Sequence, residues 1–97
     1  MAVQNGHGTE YYPSGCVKYV GDFKNGVYHG KGKFYWETFE GVTLRRMDGT
    51  IAKPHDANGF LMYEGEFRNG DFNGQGTSYF SDGRLCHSGM FRDGRPA

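Results

Sequence analysis

Four histidines, two cysteines and eleven carboxylates are the residues of this 97-residue chain with the chemistry to catalyse or to hold a metal. His7 and His29 flank glycines, His55 follows Lys53-Pro54, and His87 takes a strand-period position. None stands at ligand spacing from a second His, Cys or carboxylate, so each reads as a turn or surface residue. A nucleophilic Cys16 or Cys86 needs a base held by an orienting group. Cys86 and His87 are neighbours, and neighbours in a strand point to opposite faces. Asp22, Glu64 and Glu66 share a parity with Lys18 and read as a solvated face with weak ion pairs. No two carboxylates stand out as a hydrolytic pair. The many glycines lack the strand-to-helix setting and the Lys-Ser or Lys-Thr of a nucleotide loop. The residues point away from an enzyme, with no catalytic group, no metal and no cofactor.

Charge narrows the partners. Eleven Lys and Arg balance eleven Asp and Glu. No global field draws the chain to nucleic acid or to an anionic membrane. Arg45, Arg46, Lys53, Arg68, Arg84, Arg92 and Arg95 offer local phosphate contacts, and the aromatics offer stacking. Nucleic acid stays the weakest of the partner readings. The N-terminus has no apolar core of a signal peptide, and no apolar run approaches the ~20 residues of a membrane helix. Two cysteines far apart predict reduced thiols and a cytoplasmic protein.

What must position these residues is a repeat. Seventeen glycines and sixteen aromatics (eight Phe, seven Tyr, one Trp) describe a chain of rings and tight turns. The segments GCVKYVGDFKNG (15–26), GFLMYEGEFRNG (59–70) and GRLCHSGMFRDG (83–94) share one spacing, eleven residues from first to last Gly. Two continue as GVYHGKGKFYW (26–36) and GDFNGQGTSYF (70–80), and AVQNGHGTEYY (2–12) matches that second half. Full repeats run about two dozen residues. One domain over 1–97 follows: half repeat 2–12, repeat 15–36, a degenerate repeat or loop 37–58, repeat 59–80 and half repeat 83–94. In the middle segment, turns at Glu40-Gly41 and Asp48-Gly49 flank Val42-Thr43-Leu44. The spacing of forty-four from Gly15 to Gly59 favours an eroded hairpin followed by a loop.

Each unit reads as a β-hairpin. Val17, Tyr19, Gly21 and Phe23 alternate with Cys16, Lys18, Val20 and Asp22, the period of a strand. Asn25-Gly26, Asn69-Gly70 and Asp93-Gly94 are hairpin turn dipeptides. Gly30/Gly32 and Gly74/Gly76 open the return strands. Gly21, Gly65 and Gly89 predict bare backbone that a ring from an adjacent strand covers. The fold expected is all-β, an elongated twisted antiparallel sheet of successive hairpins.

The segments 19–32 and 63–76 resemble MORN (membrane occupation and recognition nexus) repeats, and the likeness extends over 2–36 and 59–94. The resemblance implies the same hairpin sheet. It also implies roles in protein interaction, scaffolding or phospholipid contact. His87 and the stretch 37–58 depart from the pattern.

A single sheet exposes apolar faces, and such faces commonly mark interfaces. The expected function is a non-catalytic protein-interaction or scaffolding module, with a phospholipid-headgroup module as the alternative. Tyr19, Phe23, Tyr35, Trp36, Tyr63, Phe67, Tyr79 and Phe80 are the candidate anchors, since aromatics dominate interface energetics. For any single ring, packing the sheet is the plainer role. Residues 2–12 lack an outbound strand and 84–94 lack a return strand, so both leave unpaired edges. Head-to-tail association and a two-fold dimer are the two routes this opens. Closed dimers are the commoner oligomer, which favours the second.

Overall fold

The computed structural model describes residues 5–37 and 45–97. Seven strands follow one another: β1 (Gly6–Tyr11), β2 (Val17–Lys24), β3 (Val27–Tyr35), β4 (Leu61–Arg68), β5 (Asp71–Tyr79), β6 (Leu85–Arg92) and β7 (Arg95–Pro96). They form one antiparallel sheet in sequence order. The molecule measures 44 × 32 × 16 Å, a single layer with side chains on either face. The expected all-β hairpin sheet is what the chain builds.

Local chemistry sets the turns. Asn25, Asn69 and Asp93 have φ of 50–51°, and the glycines after them are also positive. This is the conformation of a two-residue hairpin turn, which Asn-Gly and Asp-Gly adopt most readily. The second turn docks on the first repeat through Gly70 N–H to the Tyr28 carbonyl, 2.9 Å. The third does the same through Gly94 N–H to the Phe72 carbonyl, 2.9 Å.

The register aligns the glycines. Gly8 faces Gly21, Gly21 faces Gly32, and the row runs on through Gly65, Gly76 and Gly89. Six adjacent strands therefore carry no side chain along one line. Tyr19 and Tyr63 fill it. A Cβ at Gly32 would lie 2.6 Å from Tyr19 Cε1, and one at Gly76 would lie 2.5 Å from Tyr63 Cε1. Each hydroxyl donates to a carbonyl three residues on, Tyr19 to Asp22 and Tyr63 to Glu66, both 2.7 Å. Over Gly32 and Gly76 the covering ring comes from the adjacent strand, whereas over Gly21 and Gly65, where the sequence also suggested an adjacent strand, it comes from the glycine's own strand, two residues earlier. A strand's free space lies along its own axis once Gly follows at i+2, so the ring folds down there. Gly89 differs again, because its nearest covering atom is Nε2 of the His87 imidazole, 3.5 Å from its Cβ position.

More rings complete the core. Tyr28 stacks on Tyr19 with centroids 4.1 Å apart, and Phe72 stacks on Tyr63 at 4.0 Å. Phe23, Phe67 and Phe91 meet the tyrosines edge-on at 4.9–5.1 Å. Tyr19 and Tyr63 are wholly buried, while Tyr28 and Phe72 are half-buried. Glycine backbone, inner ring and outer ring succeed one another outward.

Gly30 and Gly74 serve a different need. Three residues of β3, His29 to Lys31, stand opposite the single Asp22. The Asp22 carboxylate accepts the Lys31 N–H at 3.3 Å, and the Glu66 carboxylate accepts the Gln75 N–H at 2.6 Å. A Cβ on Gly30 or Gly74 would meet those carboxylates at 2.8 and 2.7 Å. Asp22 and Glu66 are therefore hairpin clasps rather than plain surface charges. Glu64 does form the expected weak pair, with Lys33 at 3.6 Å.

The sheet passes directly from β3 to β4, with Gly32 against Gly65. The described part of 37–58, residue 37 and residues 45–58, adds no strand to it. Its Asp48-Gly49 turn keeps the repeat's own geometry. Arg46 N–H bonds the Thr50 carbonyl as Tyr12 N–H bonds that of Cys16 and Phe80 N–H that of Arg84, all 2.8–2.9 Å. Val42-Thr43-Leu44 and Glu40-Gly41, like residues 2–4 of the first half repeat, lie outside the described residues. The half repeat 83–94 is not wholly without a return strand, since Arg95 and Pro96 pair with Arg92 and Phe91.

Two expected outcomes follow from the core. Gly65 and Gly89 have φ of 151° and 144°, so valine meets similar backbone strain at both. Only Gly65 is crowded, with Gly76 Cα 2.5 Å from its Cβ position. Gly65→Val should destabilise by ~1–3 kcal/mol more than Gly89→Val in thermal or urea melts. Equal losses would contradict the packing. Burial pushes the Tyr19 phenol up to about 12, helped by the nearby Asp22 charge. Burial likewise holds Tyr63 at about 12. Raised folded-state values mean a contribution intact below the ordinary value of 10.0 and lost as pH climbs through 12. In an ultraviolet titration these two rings should ionise only together with loss of near-UV circular dichroism. Full tyrosine ionisation near pH 10 with the fold intact would contradict the burial.

Candidate interaction site

The aromatic face sorts the eight candidate anchors. Tyr19, Phe23, Tyr35, Tyr63 and Phe67 are at most 5% exposed. They build the sheet and offer a partner almost no area. Trp36 and Tyr79 are half-buried, and Phe80 is 48% exposed. Trp36 is also spoken for, since its Nε1–H donates to the Tyr79 carbonyl at 3.2 Å. Tyr12 makes the matching bond to the Tyr35 carbonyl at 2.6 Å. These two residues tie neighbouring repeats together. The Phe80 ring, which has no donor, lies 5.6 Å from the Arg84 guanidinium.

The rings that do face outward went unnamed at the sequence level. Tyr28 and Phe72 stand two residues past the turn glycines Gly26 and Gly70, and Phe34 stands just before Tyr35. Their repeat-equivalent spacing was the available signal. Tyr28 lies 5.5 Å from Phe34, and Phe34 lies 6.3 Å from Phe72. The three form a half-buried aromatic strip across two repeats. At one end the Tyr28 hydroxyl donates to the Glu10 carboxylate. Burial and that bond hold the Tyr28 phenol far above its ordinary value. Lys18 stands 3.7 Å from the same carboxylate. A charged rim thus borders an apolar strip.

The opposite face carries a cleft of about 580 Å³. Its floor is the backbone of Gly21, Gly32 and Gly65, and its wall is the segment Asp56 to Asn58. Tyr35 anchors that wall by donating to the Asp56 carboxylate at 2.6 Å. Burial first, and this bond second, raise the Tyr35 phenol to about 12. His55 fixes the same segment. Leu61 N–H donates to its Nδ1 at 2.9 Å, so Nε2 carries the proton and donates to the Gly83 carbonyl at 3.1 Å. Lys31, Lys33, Glu64 and Asp56 line the cleft with balanced charge. His55 is a structural clip, and His7 lies 3.7 Å from Asp22 on the sheet surface. Among the described residues no group of three His, Cys, Asp or Glu side chains could hold a metal ion. Cys16 and Cys86 are not joined by a disulfide.

A search of curated proteins finds no match to this chain. The family model for the MORN repeat matches residues 3–17, 19–38 and 63–83, more than half of the chain. These segments carry the glycine row as far as Gly76, the inner tyrosines and the hairpin clasps described above. Such repeats are generally protein or membrane-lipid interaction modules, and the family is not known as catalytic. With the repeat's spacing, its hairpin sheet and the family model in agreement, the chain belongs to the MORN repeat family.

Proposed function

We propose that this chain is a non-catalytic, cytoplasmic protein-interaction or scaffolding module whose contact surface is the outer aromatic strip of Tyr28, Phe34 and Phe72. The observation that carries this reading is the two-tier face. The inner rings are used up in holding the sheet, and the outer rings packed on them stay only half-buried. Aromatic anchors with a polar rim are the usual make-up of an interface centre. The Glu10–Lys18 pair supplies such a rim at one end.

A second reading has one observation in its favour. Met47 is fully exposed, Ile51 is half exposed, and Arg45 and Arg46 stand beside them. An apolar tip flanked by cations suits an anionic phospholipid surface. Asp48 and Asp82 in the same neighbourhood weaken it.

Two assays separate these readings. The protein should stay in the supernatant with phosphatidylserine-containing vesicles at physiological salt. A folded Phe34→Ser/Phe72→Ser variant should lose captured proteins that Met47→Ser retains. Pelleting with vesicles that Met47→Ser abolishes would favour the lipid reading. Capture unchanged by Phe34→Ser/Phe72→Ser would remove the aromatic strip as the contact surface.

A further inference from the structure

The wall of the opposite-face cleft hangs on one imidazole. Residues 53–59 stand between Ala52 and Phe60, each only 7% exposed. Within them the chain closes a small turn. His55 N–H donates to the Gly59 carbonyl, and Gly59 N–H donates to the Asp56 carbonyl, both at 3.1 Å. The turn therefore moves as a unit, and side chains tie it to the sheet at its tip and at its base. At the tip the Tyr35 hydroxyl donates to Asp56 at 2.6 Å and also bonds the Asn58 side chain. At the base His55 takes the Leu61 N–H on Nδ1 at 2.9 Å and gives Nε2–H to the Gly83 carbonyl at 3.1 Å.

Both His55 bonds exist together only for the neutral ring with its proton on Nε2. A proton on Nδ1 turns an acceptor into a donor that faces the Leu61 N–H at 2.9 Å. The residue is exposed, so solvent protons reach it. Its ring packs on Tyr79 with centroids 4.3 Å apart and on Phe60 at 6.2 Å. Phe60 and Leu61 bring no charge, and β5 brings only the Tyr79 phenol. The turn around Gly83 brings Asp82 and Arg84, paired at 2.7 Å. It also brings Arg46, whose Nε–H donates to the Asp82 carbonyl at 3.3 Å. Lys53 and Asp56 flank the ring along the chain. Cations and carboxylates surround it together, so the lost acceptor, and not a one-sided field, is what opens the clip.

We propose that residues 53–59 are a proton-released flap over this cleft, held shut by neutral His55 and freed when Nδ1 is protonated. The closed flap binds one proton fewer at this ring. It is therefore fully held at neutral and alkaline pH, and the hold is lost as pH falls through the imidazole range. Release removes both bonds at the flap's base and leaves its tip on the Tyr35 contacts. The wall Asp56 to Asn58 then lifts from the floor of Gly21, Gly32 and Gly65. The cleft is closed near neutral pH and open in mild acid. The flap lies on the face opposite the aromatic strip, so this inference and the proposed function can fail separately.

The test is nuclear magnetic resonance on the full chain, titrated from about pH 8 to about pH 5, the range in which an imidazole changes charge. The His55 ring protons report protonation. Protection of the Leu61 amide against hydrogen exchange, corrected for the pH dependence of exchange itself, reports the clip. Broadening of the Tyr35 ring signals by a soluble paramagnet reports the flap. Leu61 protection should fall several-fold, and Tyr35, 1% exposed in the closed state, should become accessible, both with the His55 midpoint. His55→Asn keeps an acceptor near the place of Nδ1 but takes no proton, so both readouts should stay flat. Amides in the middle of β3 and β4 should stay protected throughout. Unchanged Leu61 protection while the His55 ring titrates would overturn the inference. So would a Tyr35 ring that stays shielded, a pH response that survives in His55→Asn, or loss of protection across the whole sheet.

Discussion

A tyrosine laid along its own strand, over a cross-strand pair of glycines, is the contact on which the rest of this molecule depends. A sheet normally buries one face against a second layer. Here the molecule is 16 Å thick, and the described residues form no second layer of secondary structure. The side chains must make the layer themselves. Tyr19 and Tyr63 reach complete burial only because Gly21, Gly32, Gly65 and Gly76 leave room for them. Burying such a ring is worth about 1.5–3 kcal/mol, and each well-placed aromatic pair adds ~0.5–1.5 kcal/mol. Glycine inside a strand costs packing and chain entropy. The rings more than offset that cost at these positions.

The same contact dictates the hairpin's irregularities. The hydroxyl needs an acceptor, and the residue opposite the bulge, Asp22 or Glu66, provides its carbonyl. The carboxylate of that residue is then free to bind the return strand's N–H. That in turn demands a small residue with positive φ at Gly30 and Gly74. The repeats vary the theme by compensation. Where Tyr28 caps the first ring, Glu10 receives its hydroxyl. Where Phe72 caps the second, Phe34 meets it with a ring. Polar is matched with polar and apolar with apolar, as nearest-neighbour stacking of repeats requires.

The hairpins were legible in the sequence because turn dipeptides, period-two alternation and eleven-residue glycine spacing are local signals. Gly21 and Gly65 were recognised as sites of ring cover for the same reason. The direction of the cover was not, because period two says which residues share a face but not how a ring tilts. The anchors suffered from the same gap. Tyr19 and Tyr63 read as prominent rings, yet prominence in a repeat meant burial here. Tyr28, Phe34 and Phe72 became the outer tier through cross-strand register, which a bulge opposite Asp22 shifts and which a single strand does not reveal. The clip of His55 on Leu61 and Gly83 joins residues up to twenty-eight apart and left no pattern to read.

The account's central claim is the seat of the inner tyrosines on glycine backbone. Nuclear Overhauser spectroscopy on the assigned protein measures that seat directly. The account predicts strong cross-peaks from the Tyr19 ε-protons to the Gly32 α-protons, and from the Tyr63 ε-protons to those of Gly76. Folded protein that lacks both cross-peaks, with the Tyr19 and Tyr63 rings in contact with solvent, would contradict it.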